Sequence, residues 1–252
     1  HRKNMIQSVE ASLKRLGTDY LDLLYLHIWD GTTPVEEIMR GFDDLVRAGK
    51  IVYAGISDTP AWQVARMQTL AELRGWAPLV ALQIEYSLAQ RTVERELLPM
   101  ADALGLSVLA WSPLAMGILT GKYTRADLQR ARAQGAGTAP GEGGRGAVAY
   151  SHDMLDERSI GIGEGVKAIA AESGQVALAW LLQRPGAPIP IVGARTPEQL
   201  QDNLGALDVR LDEARLRQLD AASAVALGFP HDFMRGPIPQ QLIFGGTRVQ
   251  PR

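Results

Sequence analysis

The residues whose types and spacing could do chemistry gather most densely around Arg195. Gly193 leaves room for a ligand beside the backbone, Arg195 offers a forked cation, and Thr196-Pro197-Glu198 opens a helix whose free N–H groups face the same space. A guanidinium beside a helix N-terminus is an anion site, and a phosphate suits it. Gln199 and Asn203 follow four residues apart, on one face of that helix. Their amides carry the donor and acceptor groups that match the edge of a base such as adenine. Phosphate beside a base suggests a nucleotide. The alternative is a surface arginine next to an ordinarily capped helix.

His27, Ser57, Asp58, Gln83, Tyr86 and Ser112 share a second regularity with Arg195. Each falls at or just past the C-terminal end of a run that reads as a β-strand. In α/β barrels that end carries the chemistry, on one concave face. Singly, each residue also has a structural reading. A strand-end histidine often only packs, Tyr86 could lie under a helix, and Ser57-Asp58 could cap the helix starting after Pro60. Joint placement on one face favours a site.

The elements that must position these groups repeat. Ile6, Val9, Leu13 and Leu16 predict a first helix stopped by Gly17, and the apolar run 21–28 predicts a strand covered on both faces, delivering His27 and Asp30. Val35, Ile38, Met39, Phe42 and Leu45 mark a helix entered through Thr33 and Pro34. Strands are then predicted over 51–58, 79–87, 107–113 and 189–194. Helices follow them: one marked by Trp62, Ala65 and Leu70, one through Leu97, Leu98 and Ala101, and others over 160–173, 175–182 and 212–222. Residues 122–156 turn polar and Gly-rich and read as one long loop, either functional or disordered; residues 229–252 read as an irregular tail. Alternating β and α units predict an α/β protein of (β/α)8 TIM-barrel type, with about five of the eight units in this chain as a single domain over 1–252. The two outer strands would each keep an unpaired edge.

Composition narrows the class. With 46% hydrophobic and 21% charged residues, a net charge of -2 and no dense basic block, nucleic acid and anionic membrane are poor partners. The absence of cysteine excludes disulfides, thiol nucleophiles and cysteine-bound zinc. His1, His27, His152 and His231 lack ligand spacing, so no metal is expected. No run approaches a signal peptide or membrane helix, and a cytoplasmic location is the default expectation.

Four ordered blocks carry a family resemblance: Ser12-Leu13-Lys14-Arg15-Leu16 with Asp19-Tyr20-Leu21-Asp22-Leu23 and His27; Gly49-Lys50 with Gly55-Ile56-Ser57; Gln83 to Ser87 with Trp111-Ser112-Pro113-Leu114 and Gly117; and Ile191 to Thr196 with Gln199 and Asn203. Through them nearly the whole chain resembles the aldo-keto reductases. That resemblance implies a TIM barrel using NADPH, with NADH as the rarer cofactor, to reduce aldehydes and ketones. It implies that His27 is the catalytic-site histidine, Ser57 and Gln83 hold the nicotinamide carboxamide, and Tyr86 stacks on the ring. Ser112, Leu114 and Gly117 would line the pyrophosphate and ribose, with Gly193 at the phosphate site. Arg195 would take the 2′-phosphate, and Gln199 and Asn203 the adenine. The partner would be a small-molecule carbonyl compound; oligomeric state stays open.

The chain departs from the family chiefly at one place, with the short link Ala171-Glu172-Ser173-Gly174-Gln175 between two helices as a smaller departure. The family's proton-donor tyrosine, its lysine and its aspartate lie on strands upstream of the histidine strand. Tyr20, Tyr25, Tyr53, Tyr86, Tyr123 and Tyr150 are in other contexts. An N-terminal part ahead of residue 1 is therefore expected first, with a partner covering the open edges or a degenerate, rearranged homologue as the alternatives. A nucleotide-binding or regulatory homologue without turnover, and a TIM-barrel enzyme acting on a phosphorylated substrate, are the competing readings.

Overall fold

A computed structural model describes residues 1–134, 154–169, 172–245 and 247. Helix α1 (Arg2–Leu16) leads into strand β1 (Leu21–Leu26), followed by α2 (Val35–Arg47), β2 (Ile51–Ser57), α3 (Ala61–Arg74), β3 (Leu79–Glu85), α4 (Leu97–Ala103) and β4 (Ser107–Trp111). A 3-10 turn (Ala115–Thr120), α5 (Arg125–Gln134), α6 (Glu157–Ile169) and α7 (Ser173–Leu182) precede β5 (Ile189–Pro190). Four helices come after it: α8 (Pro197–Leu204), α9 (Glu213–Ala222), α10 (His231–Met234) and α11 (Pro237–Phe244). All five strands are parallel and pair in chain order, β1-β2-β3-β4-β5. Parallel neighbours joined through helices are the units of the expected barrel class.

The core follows from periodicity. On α2, Val35, Ile38, Met39, Phe42 and Leu45 form one stripe, none more than 4% exposed. The stripe belongs to one core with Ile51, Ile56, Leu82 and Ile84 of the sheet. Burying each such side chain contributes roughly 1.5–3 kcal/mol. Helix α7 is apolar all round, and Val176 through Leu181 are all buried.

Several expectations are corrected. The strand predicted over 21–28 ends at Leu26, is only half-buried, and leaves Ile28 57% exposed. Among the described residues it is an outer strand paired with β2 alone, so it lacks the cover a central strand has. The strand predicted over 189–194 is reduced to Ile189–Pro190, because Pro190 brings no N–H to the ladder, though Ile191 N still donates to Ala110 O at 2.9 Å. On α3 the inward face is Val64, Met67 and Ala71, while Trp62 is 62% exposed. Leu16 likewise faces out. The stretch read as a loop over 122–156 contains α5, anchored by buried Leu128; its glycine run 141–146 lies outside the described residues. The irregular tail carries α10 and α11.

Candidate functional site

Strand alternation sorts the candidates between two faces of the sheet. On β3, Leu82 and Ile84 are fully buried toward the helices, whereas Gln83 and Glu85 are half-buried on the opposite, inner face. Ser57 pairs with Gln83 in register. Its hydroxyl is buried and has no hydrogen-bond partner among the described residues. Lower on the same face, the Tyr25 ring lies against Gly55, where a Cβ would sit 2.6 Å from Cε1. The Tyr25 hydroxyl is buried and unpartnered too, and burial raises its pKa.

Trp111 was not singled out among the candidates, and it occupies the centre of this face. It pairs with Glu85 in register, and its Nε1–H donates to Asp58 Oδ1 at 3.0 Å. Asp58 follows β2 and Trp111 ends β4, so the bond spans β3. Burial, and then the Asp58 charge, push the Glu85 carboxyl up to about 7. The available signal was position: Trp111 closes a strand directly ahead of Ser112-Pro113.

Beyond Trp111 a cleft of about 390 Å³ opens between the turn after β4 and the loop after β5. Ser112, Leu114, Gly117, Gly193, Gln199 and Asn203 all line it, so six separate sequence candidates meet in one place. The turn is bent hard: Ser112, Ala115 and Met116 carry φ of 52°, 47° and 54°, and Gly117 one of 90°. Left-handed non-glycine residues cost energy and gather where a backbone shape is functionally required. A Cβ on Gly117 would be strained at φ 90° and would lie 2.8 Å from Lys122 Nζ, so the lysine end would have to move. Ser112 Oγ accepts from Met116 N at 3.3 Å, and Gly117 N donates to Leu114 O at 2.8 Å. Lys122 also lines the cleft, its ammonium 5.0 Å from the Tyr123 ring; it was missed because the turn brings it back from beyond the motif.

On the opposite wall, Thr196 caps α8, its side chain accepting from Gln199 N at 3.3 Å. Gln199 Oε1 accepts from Arg195 N at 2.9 Å, so its NH2 is the part left to face a ligand. Arg195 is exposed, with no side-chain ion pair among the described residues. A Cβ on Gly193 would meet nothing within 4 Å.

Two candidates stand elsewhere. His27 is exposed and lines a separate groove with Ser8 and Ser12 of α1. The acid beside it is structural: Asp30 accepts from Thr32 N, Thr33 N and Thr33 Oγ1 at 2.8, 2.7 and 2.6 Å. The Thr33 hydroxyl and the two N–H groups hold its carboxyl far below the usual range. Tyr86 is the larger correction. It belongs to the helix-facing side and is wholly buried, packed edge-on to Trp180 at 5.5 Å. Its hydroxyl donates to Glu94 Oε1 at 2.8 Å and accepts from Arg184 Nε at 3.2 Å. Burial and the Glu94 carboxylate push its pKa upward. Buried on the helix-facing side, the ring offers no face to the cleft beyond Trp111.

Among the described residues no cluster of three His, Cys, Asp or Glu could hold a metal ion, and no helix is long and apolar enough to cross a membrane. His231 pairs with Glu96 at 2.8 Å, and His152 lies outside the described residues.

The family model described as Aldo/keto reductase family matches residues 1–224. The chain is 40% identical over 212 residues to the uncharacterized oxidoreductase YrpG of Bacillus subtilis (strain 168), covering 84% of this chain and 61% of that protein. It is 34% identical over 238 residues to norsolorinic acid reductase of Aspergillus flavus, covering 93% of this chain and 56% of that protein. An aryl-alcohol dehydrogenase (NADP(+)) of Phanerodontia chrysosporium is 34% identical over 234 residues, covering 91% and 58% respectively. The chain thus spans little more than half the length of these curated relatives.

Proposed function

The chain belongs to the aldo/keto reductase family of oxidoreductases, and from that membership we propose that it forms the NADPH cleft of a reductase acting on aldehydes and ketones. The observation that carries this reading is the cleft itself. It joins the strained turn of Ser112 to Gly117 to the capped start of α8; Arg195, exposed and two residues after the lining Gly193, is not itself among the lining residues.

The residues present fit the cofactor. The buried, orphaned Ser57 hydroxyl and the Gln83 amide next to it suit a carboxamide, which needs both a donor and an acceptor. Trp111 offers the flat surface on which a planar ring can stack, a task the buried Tyr86 cannot perform. Ser112, Leu114, Gly117 and Gly193 would line the pyrophosphate and ribose, with Lys122 adding charge. Arg195 would hold the 2′-phosphate, and Gln199 and Asn203 would meet the base. Bound nicotinamide supplies hydride; the protein's part is to fix its orientation and keep one face open. His27 would orient the carbonyl from the neighbouring strand end.

A second reading, cofactor binding without turnover, is favoured by one observation: His27 does not share the cleft. Fluorescence titration with NADPH and NADH, on the chain and on Arg195→Ala, tests the main proposal. It expects NADPH to bind and the variant to weaken it about tenfold or more while NADH affinity stays level. Equal effects on both cofactors would overturn the placement of the 2′-phosphate. NADPH binding with no oxidation across a broad panel of aldehydes and ketones would favour the second reading.

A further inference from the structure

The Trp111 indole reaches across β3 to a carboxylate on the far strand, and a second carboxyl, Glu85, stands beside it in register. Among the described residues Glu85 makes no ion pair. Besides Asp58 at the end of β2, the charged groups sharing its cavity are Arg91, Asp156 and Arg158. Arg91 is bonded to Glu94, Asp220 and Ser223, and Arg158 to the carbonyls of Ala89, Ser223 and Ala224. Asp156 accepts from Ser159 N, and β4 carries no ionisable side chain. Among the described residues the inner face at Trp111 therefore holds two acids, with both arginines of the neighbouring cavity engaged elsewhere.

We propose that Asp58 is a positioning residue that pins the Trp111 ring, and that ionisation of Glu85 beside it makes this face favour a cationic ring ligand over a neutral one. An oxidised nicotinamide carries a positive charge and a reduced one does not, so the pair would bias the site toward the oxidised cofactor as pH rises. Burial and the Asp58 charge, which push Glu85 up to about 7, put that change near neutrality. The inference rests on the proposed nicotinamide site for its consequence, but the pin is testable without any cofactor.

The first measurement follows the indole N–H resonances of the chain by 15N-edited NMR across pH. Trp111 is assigned by its loss in Trp111→Phe among the five tryptophans. The Trp111 signal should titrate near neutral pH. Glu85→Gln should abolish the titration. Asp58→Asn, which tolerates the left-handed φ of 42° and keeps an acceptor oxygen, should move the midpoint to lower pH by removing a like charge. A Trp111 signal indifferent to pH, or one still titrating in Glu85→Gln, would overturn the pairing. The second measurement is the ratio of NADP+ to NADPH affinity. It should rise about fivefold between acidic and alkaline pH, and stay flat in Glu85→Gln. A ratio that rises equally in both proteins would overturn the charge selection. Failure of either cofactor to bind would refute the cofactor cleft and the bias with it, while the NMR result would still decide the pin.

Discussion

Gly55→Ala is the perturbation whose cost is most directly worked from the structure. The new methyl would lie 2.6 Å from Tyr25 Cε1, 2.7 Å from Cδ1 and 3.0 Å from Cζ. These distances are far inside van der Waals contact, and the obstacle is the body of a rigid ring. Forcing one methyl into a packed site costs about 1–3 kcal/mol, and a clash with three ring atoms belongs at the upper end, about 3 kcal/mol. Urea denaturation should show the midpoint falling with an unchanged slope. Replacing Tyr25 by Leu removes those ring atoms, so the double variant should recover at least about 1.5 kcal/mol relative to additivity. Tyr25→Phe should not relieve the clash, because the hydroxyl is not what the methyl meets. On the wild-type background it should stabilise by about 1 kcal/mol, since it removes a buried hydroxyl with no partner. A Gly55→Ala cost below about 0.5 kcal/mol, or strict additivity with Tyr25→Leu, would refute this account of the inner face.

Other outcomes are expected. Arg91→Ala should cost about 3 kcal/mol in denaturant melts, because Arg91 is buried, 5.1 Å from the Trp180 ring, and its loss removes the ion pairs to Glu94 and Asp220, leaving Glu94 to the Tyr86 hydroxyl and Arg184. Arg184→Ala, at the more open end of the same network, should cost less. Glu85→Gln should separate from the wild type only at high pH. A carboxyl whose folded pKa is raised to about 7 stabilises the fold below its ordinary value of 4.5 and loses that contribution as pH climbs through 7. The variant should thus be more stable by about 1–2 kcal/mol at alkaline pH, after allowance for partial exposure, and the gap should close in acid. Thr196→Ala should lower stability by about 1 kcal/mol and loosen NADPH binding, since Thr196 holds the first turn of α8.

Legibility in the sequence followed the range of the interactions. The capped start of α8 was readable because Thr196, Pro197 and Glu198 are contiguous, whereas the use of Gln199 Oε1 as a bond to Arg195 N needed coordinates. Helix α2 was readable because all its large apolar residues share one phase. Helix α3 was not: Gln63 and Gln68 are buried, and the Gln68 amide accepts from Leu79 N at 3.0 Å, while a tryptophan faces outward. Tyr86 was misplaced although strand alternation held the answer, since it shares a parity with Leu82 and Ile84 rather than with Gln83. The Trp111–Asp58 bond and the return of Lys122 join distant segments, and no local pattern announces them.

The two outer strands differ in their exposure to misassembly. On one side the sheet ends in two residues, one of them a proline with no donor, so an incoming strand finds almost nothing to bind. On the other it ends in the six-residue run Leu-Asp-Leu-Leu-Tyr-Leu, apolar apart from a single charge and with no proline. Wherever that edge is left uncovered, growth of a foreign or second-copy sheet would start from it rather than from the Pro190 side. A lysine introduced at the outward edge of that strand should raise solubility, where the same change beside Pro190 should do little.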